Sequence, residues 1–198
     1  MTANTEEQEL KDRLSLIENM IAEGRKSTGS WGWVFVLWGV AYYLAMAWDT
    51  WGKSQLSWPV TMIGAAVLTC FLASRQTHGH PETTIGRAIS AVWTAMGISM
   101  FVLLLALGIQ GLLERQVFMG IVAAMLGTAN ATSSMILKWK VQFACTLIWW
   151  ITCVVCVIGT GTQSTIALLV AIFLCQIVFG IYMMITEARR RRQVAVHA

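Results

Sequence analysis

Two cysteines in the second half of the sequence have a spacing that can do redox chemistry. Cys153 and Cys156 form a Cys-x-x-Cys pair, whose thiols can be oxidised to a disulfide as two electrons pass to an acceptor. A membrane thiol oxidoreductase also needs a second cysteine pair in an exposed loop to relay those electrons. The other cysteines, Cys70, Cys145 and Cys175, lie in apolar stretches, so the relay pair is missing. We interpret the cysteines as small apolar packing residues and keep thiol redox as the weakest functional hypothesis.

Two histidines could supply nitrogen ligands to a metal. His78 and His80 lie beside Glu82 in a Gly/Pro turn, but no fourth ligand is near, which favours solvated loop residues. The third histidine, His197, lies at the C-terminal end. The apolar stretches contain no His, Lys, Arg, Asp or Glu, which excludes axial haem ligands, a retinal-binding lysine and a carboxylate proton relay. We therefore predict no enzymatic activity, no metal and no cofactor.

The apolar stretches are the main structural signal of the sequence. Of 198 residues, 57% are apolar and 12% are charged, and the mean hydropathy is +0.64. The 14 basic and 10 acidic residues leave six charge-free blocks, each close to the roughly 17 to 25 residues that cross a bilayer as an α-helix. These blocks are residues 31–48, 58–74, 88–109, 117–137, 141–158 and 165–186.

The six blocks predict the fold class and the domain organisation. We expect an all-α polytopic membrane protein in which residues 31–186 form six transmembrane helices arranged in three hairpins. Residues 1–30 should form a cytoplasmic amphipathic helix and a hinge, and residues 187–198 a basic cytoplasmic tail.

The basic residues predict the orientation in the membrane. Lys and Arg are retained on the cytoplasmic side when loops are short. With six spans, one side holds 12 of these residues and the other holds only Lys53 and Arg115. Both termini are therefore predicted to be cytoplasmic. The Arg189 to Arg192 cluster is interpreted as an anchor after the last span and not as a nucleic-acid contact.

The N-terminal segment has the pattern of an amphipathic helix. Leu10, Leu14, Ile17 and Ile21 follow one another at spacings of four, three and four residues. A capping box, Thr5-x-x-Gln8, precedes them, so we predict a helix from about residue 6 to residue 23.

The charge of this helix indicates what it binds. Residues 1–24 hold six acids and two bases, which disfavours anionic lipid and favours a protein partner. That partner could be the same helix of another copy, the cytoplasmic ends of the protein's own spans, or a different protein.

Two predicted spans carry small residues at helical spacing, the pattern with which helices approach closely in lipid. In the third span these residues are Ala88, Ala91, Ala95 and Ser99. In the fourth span they are Gly120, Ala124, Gly127 or Thr128, and Ala131, with Asn130 beside them. Both stripes are predicted to face other helices. The amides of Asn130, Gln142 and Gln176 are expected to bond a neighbouring helix or, alternatively, to contact a solute.

Parts of the sequence resemble an uncharacterised family of small bacterial six-span inner-membrane proteins. These parts are residues 17–48, the run Gly127-Thr128-Ala129-Asn130-Ala131 and the pair Trp149-Trp150. The resemblance implies a bacterial inner membrane and carries no assigned activity.

Two classes of function are compatible with these patterns. The favoured one is a non-enzymatic regulatory or scaffolding subunit that engages a protein partner or a second copy through its N-terminal helix, with the lipid bilayer around its spans. The alternative is a small permease or channel for an uncharged solute, with Asn130 and Gln176 along its pathway.

Overall fold

The computed structural model describes residues 2–52, 56–76, 84–112 and 114–196, and 94% of the structure is helical. In chain order the helices are α1 (Thr2–Gly29), α2 (Gly32–Gly52), α3 (Ser57–Gln76), α4 (Thr84–Ile109), α5 (Arg115–Leu137), α6 (Lys140–Ile158), α7 (Gly161–Ile172) and α8 (Phe179–Val196). A π-helical segment, Phe173–Val178, joins α7 to α8, so these three form one continuous helix. We call it the π segment.

Local chemistry accounts for the tight turns between the later helices. Lys138 ends α5 in a left-handed conformation with φ of 49°, and its N–H bonds to the carbonyls of Met135 and Ser134. At the start of α7, the Thr160 side chain accepts from the Gln163 N–H while the Gln163 side chain accepts from the Thr160 N–H. This capping box satisfies two N–H groups that would otherwise lack partners at the helix start.

Five of the described helices are long and apolar enough to cross a membrane: α3, α4, α5, α6 and the continuous helix from α7 to α8. The chain is therefore a helical membrane protein whose apolar helices contact lipid. The 21-residue helix α2 is comparable in length but falls outside this group. It is rich in Trp, Tyr and Gly, which are less apolar than the Leu, Ile and Val of the other helices.

The centre of the bundle is formed by α2, α5, α6 and the continuous last helix. In α5, 61% of the most apolar stretch is buried inside the protein, whereas none of the corresponding stretch of α4 is buried. Consecutive helices pack together in the pairs α2 with α3, α4 with α5, α5 with α6, and α6 with α7, and the contact of α5 with α6 is the most extensive. The peripheral helices α3 and α4 thus present most of their surface outward.

The structure corrects the prediction for the N-terminal helix. The helix starts at Thr2 and continues to Gly29, through most of the predicted hinge. Thr5 therefore lies inside the helix and not at its N-terminal boundary. The break before α2 is confined to Ser30 and Trp31.

The prediction for the small-residue stripe of the third span is wrong. Ala88, Ala91, Ala95 and Ser99 are all exposed on the outer side of α4. The inner side of α4 is formed instead by residues such as Ile89, which is buried, and Trp93, whose indole packs edge-on against Phe35. The Trp93 Nε1 also donates to the Ser133 hydroxyl over 3.1 Å. A large aromatic surface with a hydrogen bond outweighs the close approach that small residues permit.

Candidate functional site

The C-terminal end of α1 is fastened to the bundle by one arginine. The Arg25 Nε donates to the Leu137 carbonyl and its Nη2 to the Lys138 carbonyl, both over 2.6 Å. These carbonyls lie at the end of α5, where helix carbonyls lack intrahelical partners and the helix dipole is negative. Arg25 therefore caps α5 while it holds α1 in place.

A close contact beside Arg25 completes this attachment. Gly24 is buried against the side chains of Ile85 in α4 and Leu137 in α5, and a Cβ at Gly24 would lie 3.3 Å from the Leu137 Cδ2. Thr28, one turn further on, is also buried. Gly24 is thus a point of close approach between α1 and two other helices.

The predicted apolar residues of α1 lie on the same line as Gly24 and Thr28, but most of them are exposed. We call the line of Leu10, Leu14, Ile17 and Ile21 the α1 seam. Leu10 is 60% exposed, Leu14 53% and Ile17 52%, whereas Ile21 is partly buried. The seam is therefore covered by the bundle only near its C-terminal end, and its other three side chains present an uncovered apolar surface.

Two ion pairs flank the seam within α1 itself. Lys11 pairs with Glu7 over 2.7 Å and Arg13 pairs with Glu9 over 2.5 Å, each one helical turn apart. All four side chains are more than half exposed, so each pair contributes only about 0.3–0.5 kcal/mol. These pairs support the helix without attaching it to the bundle.

The predicted small-residue stripe of α5 lies at the contact with α6. A Cβ at Gly127 would lie 2.5 Å from the Trp150 Cδ1 and 3.3 Å from the Trp149 Cβ. Gly120 faces Val157 and Cys156 at ordinary van der Waals distances, and Ala124 between them is partly buried. The stripe therefore makes room for the Trp149-Trp150 pair.

Buried polar side chains lie in the same pair of helices. Asn130, Gln142 and Trp149 are fully buried. The Asn130 Nδ2 donates to the Leu126 carbonyl over 2.9 Å within its own helix. Four polar atoms of these three side chains have no hydrogen-bond partner among the described residues: the Asn130 Oδ1, the Gln142 Oε1 and Nε2, and the Trp149 Nε1. Each such group costs about 1–3 kcal/mol unless something outside the chain bonds to it.

The cysteines are arranged differently from the expectation for a Cys-x-x-Cys pair. All five are free thiols, and Cys156 is buried with its Sγ 3.9 Å from the Ser164 carbonyl oxygen. Cys145 in α6 and Cys175 in the π segment instead lie close together across the two helices. The Cys175 Sγ lies 3.6 Å from the Cys145 carbonyl oxygen.

Sequence spacing did not reveal the contact between Cys145 and Cys175. The signal that could have found it is their similar separation from the turn at Gly159, because residues equally far from the turn of an antiparallel helix pair lie side by side.

The histidines of the sequence, His78, His80 and His197, fall outside the part of the chain that the structure describes. Within residues 2–52, 56–76, 84–112 and 114–196, no three His, Cys, Asp or Glu side chains are grouped as a metal site would require.

Comparisons with known proteins do not supply a family for this arrangement. No protein-family model, curated protein or solved structure matches the chain.

Proposed function

We propose that this protein is a non-enzymatic regulatory or scaffolding subunit of a membrane assembly, and that α1 is the element through which it engages a protein partner. The observation that carries the proposal is the exposure of Leu10, Leu14 and Ile17 on a helix whose C-terminal end is held by Arg25. Such a helix keeps an apolar surface in a fixed place relative to the membrane spans. The surrounding acidic residues disfavour insertion of that surface among anionic headgroups.

We further propose six spans with both termini in the cytoplasm of a bacterial cell. In this arrangement α2 is the first span, because its 21 residues pack among the other apolar helices and Asp49 is its only charged residue. The contacts of α2 with α3, α4 with α5 and α6 with α7 are compatible with three hairpins, and the more extensive contact of α5 with α6 would then join the second hairpin to the third. The 12 to 2 distribution of basic residues supports the orientation.

Reporter fusions test this topology directly. Fusions at residues 27 and 80 should read as cytoplasmic, and fusions at residues 53 and 162 should read as extracytoplasmic. A strong periplasmic signal at residue 80 would exclude the six-span arrangement, because it would shift every later span by one crossing.

The double substitution Leu14→Asp with Ile17→Asp tests the role of α1. Both side chains lie outside the spans, so insertion and yield should be normal. Each buried Leu or Ile contributes roughly 1.5–3 kcal/mol, so a partner contact should weaken by roughly several hundredfold or more. We expect the complex extracted from native membranes to fall to the size of the single chain on native gels.

Leu16→Asp provides the matched control. Leu16 is 60% exposed and close to both substituted residues, but it lies off the seam. The control should keep the native complex. If the double variant also keeps its complex and its partners, the scaffolding function is wrong.

A small permease or channel for an uncharged solute is the second candidate function. The observation that favours it is the group of unpartnered polar atoms on Asn130, Gln142 and Trp149, since a solute or water in the bundle would satisfy them. Its pathway would not involve α1. Conduction of urea or glycerol by liposomes containing the protein, unchanged in the Leu14→Asp, Ile17→Asp variant, would favour the permease over the scaffold.

A further inference from the structure

The α1 seam has the heptad repeat of a coiled coil. Leu14 and Ile21 occupy successive a positions of a heptad, and Leu10 and Ile17 occupy successive d positions. Continued toward the membrane, the same repeat reaches Gly24 at d and Thr28 at the next a position, both of them buried. The same side of α1 is thus buried in the protein's own bundle at Gly24 and Thr28 and is uncovered at Leu10, Leu14 and Ile17.

The residues beside the seam indicate what can cover it. In this register Arg13 is a g position and Glu18 is the e position five residues later. In a parallel coiled coil, a g residue of one helix pairs with the following e residue of the other. Arg13 of each copy would therefore face Glu18 of the other, giving two attractive pairs, and both side chains are exposed in the single chain.

The membrane sets the relative direction of two such helices. Two copies inserted in the same sense are related by an axis along the membrane normal, and α1 helices that run along this axis are placed parallel and in register. The exposed part of the seam, from Leu10 to Ile17, spans eight residues, little more than one heptad, which is too short for isolated peptides to pair stably. Confinement of both copies to one membrane raises their effective concentration and offsets this weakness.

We propose that the partner of the α1 seam is the same seam of a second copy, paired as a parallel, in-register, two-stranded coiled coil through Leu10, Leu14, Ile17 and Ile21. This inference rests on the proposed function of α1 and names its partner. The attachment of α1 by Arg25 sets the position of the coiled coil next to the bundle.

Cysteine cross-linking of the full-length protein in membranes tests the pairing. Two Leu14→Cys copies in a parallel, in-register pair bring their a-position sulfurs within disulfide reach, so mild oxidation should give a covalent dimer. Leu16→Cys, on the outer side of the coiled coil, should give no dimer above the background of the native cysteines. An antiparallel pair would bring position 14 opposite position 17 instead. Equal cross-linking of the two variants, or none with Leu14→Cys, would refute the parallel coiled coil.

A charge exchange tests the register independently. Arg13→Glu places like charges opposite Glu18 of the second copy and should lower the dimer affinity roughly threefold to tenfold in detergent. Adding Glu18→Arg restores two attractive pairs and should restore the affinity. The intrahelical pair between Arg13 and Glu9 is lost in both variants, so it cannot produce the recovery. No recovery in the double variant would contradict the proposed register.

The role of α1 in binding a partner and its pairing with a second copy can be distinguished by experiment. If the native complex depends on Leu14 and Ile17 but Leu14→Cys gives no self-cross-link, the partner is a different protein, and only the coiled coil is wrong. If neither the native complex nor the cross-link depends on the seam, both proposals are wrong.

Discussion

Replacing Gly180 by leucine should be the most damaging single substitution in the membrane-embedded part of the protein. Gly180 of α8 crosses Gly32 of α2 with their backbones in contact: a Cβ at Gly180 would lie 2.8 Å from the Gly32 carbonyl oxygen, and a Cβ at Gly32 would lie 2.8 Å from the Gly180 carbonyl oxygen. A backbone atom cannot turn aside as a side-chain tip can. The larger residue must therefore push two central helices apart.

The expected size of this effect follows from overpacking and from the loss of helix contact. Overpacking costs about 1–3 kcal/mol, and separating helices whose close contact drives association in lipid adds to that cost. A loss of about 3 kcal/mol would lower the midpoint of thermal unfolding by roughly 6–12 °C. Thermal unfolding of the purified protein in one detergent measures this shift.

Gly97→Leu is the matched control for Gly180→Leu. Gly97 is also inside a long apolar helix, α4, but a Cβ there would meet nothing within 4 Å. Leucine has a better helix propensity than glycine, so this control should unfold at the same temperature as the wild type or slightly higher. Equal losses in the two variants would mean that the crossing of α2 and α8 is not a close backbone contact.

Gly127→Leu should be the second most damaging substitution, for a different reason. Here the nearest atoms belong to the Trp150 ring, 2.5 Å from the position of an added Cβ, and a ring can move where a backbone cannot. Trp150 is 40% exposed, so it can turn toward lipid at the expense of its packing on α5. We expect a loss of about 1–3 kcal/mol. Ile121→Leu, which keeps the side-chain volume in the same helix, should cost less.

A double-mutant cycle shows whether Trp150 causes the Gly127 effect. Trp150→Ala removes the ring and creates the space that a leucine at position 127 needs, so the two substitutions together should cost less than the sum of the separate losses. Contacting residues show coupling of about 0.5–3 kcal/mol. Strictly additive losses would show that the leucine clashes with something other than the indole.

The two stripes of small residues show where sequence patterns succeed and where they fail. The same spacing of Gly, Ala and Ser in two spans predicted the same role for both. In α5 the stripe lies against the tryptophans of α6, but in α4 it faces outward. Because lipid is as apolar as the interior of the bundle, an apolar or small side chain gains little from facing one or the other. The shape of the contact and its hydrogen bonds therefore decide which face of a helix packs inward, and both depend on the partner helix.

For the N-terminal helix, too, the sequence predicted the apolar residues but not their exposure. The four, three and four spacing identified its seam, but the exposure of Leu10, Leu14 and Ile17 depends on where the helix is held. That position is set by Arg25 at the end of α5 and by the close approach of Gly24 to Leu137. An arginine near the end of an acidic helix is a common sequence feature, and its carbonyl partners are more than 100 residues away along the chain.

The amino-acid sequence by itself determined that the chain is helical and lies in a membrane, because only long uncharged segments with internally bonded backbones are stable in lipid. It also determined which face of α1 is apolar, because residues three or four apart lie on the same face of a helix with 3.6 residues per turn. Only the tertiary structure decided which small residues are contacts, which thiols lie together and which polar atoms lack partners. Those outcomes depend on crossing points such as that of Gly32 with Gly180, where two distant segments meet by shape and not by hydrophobicity.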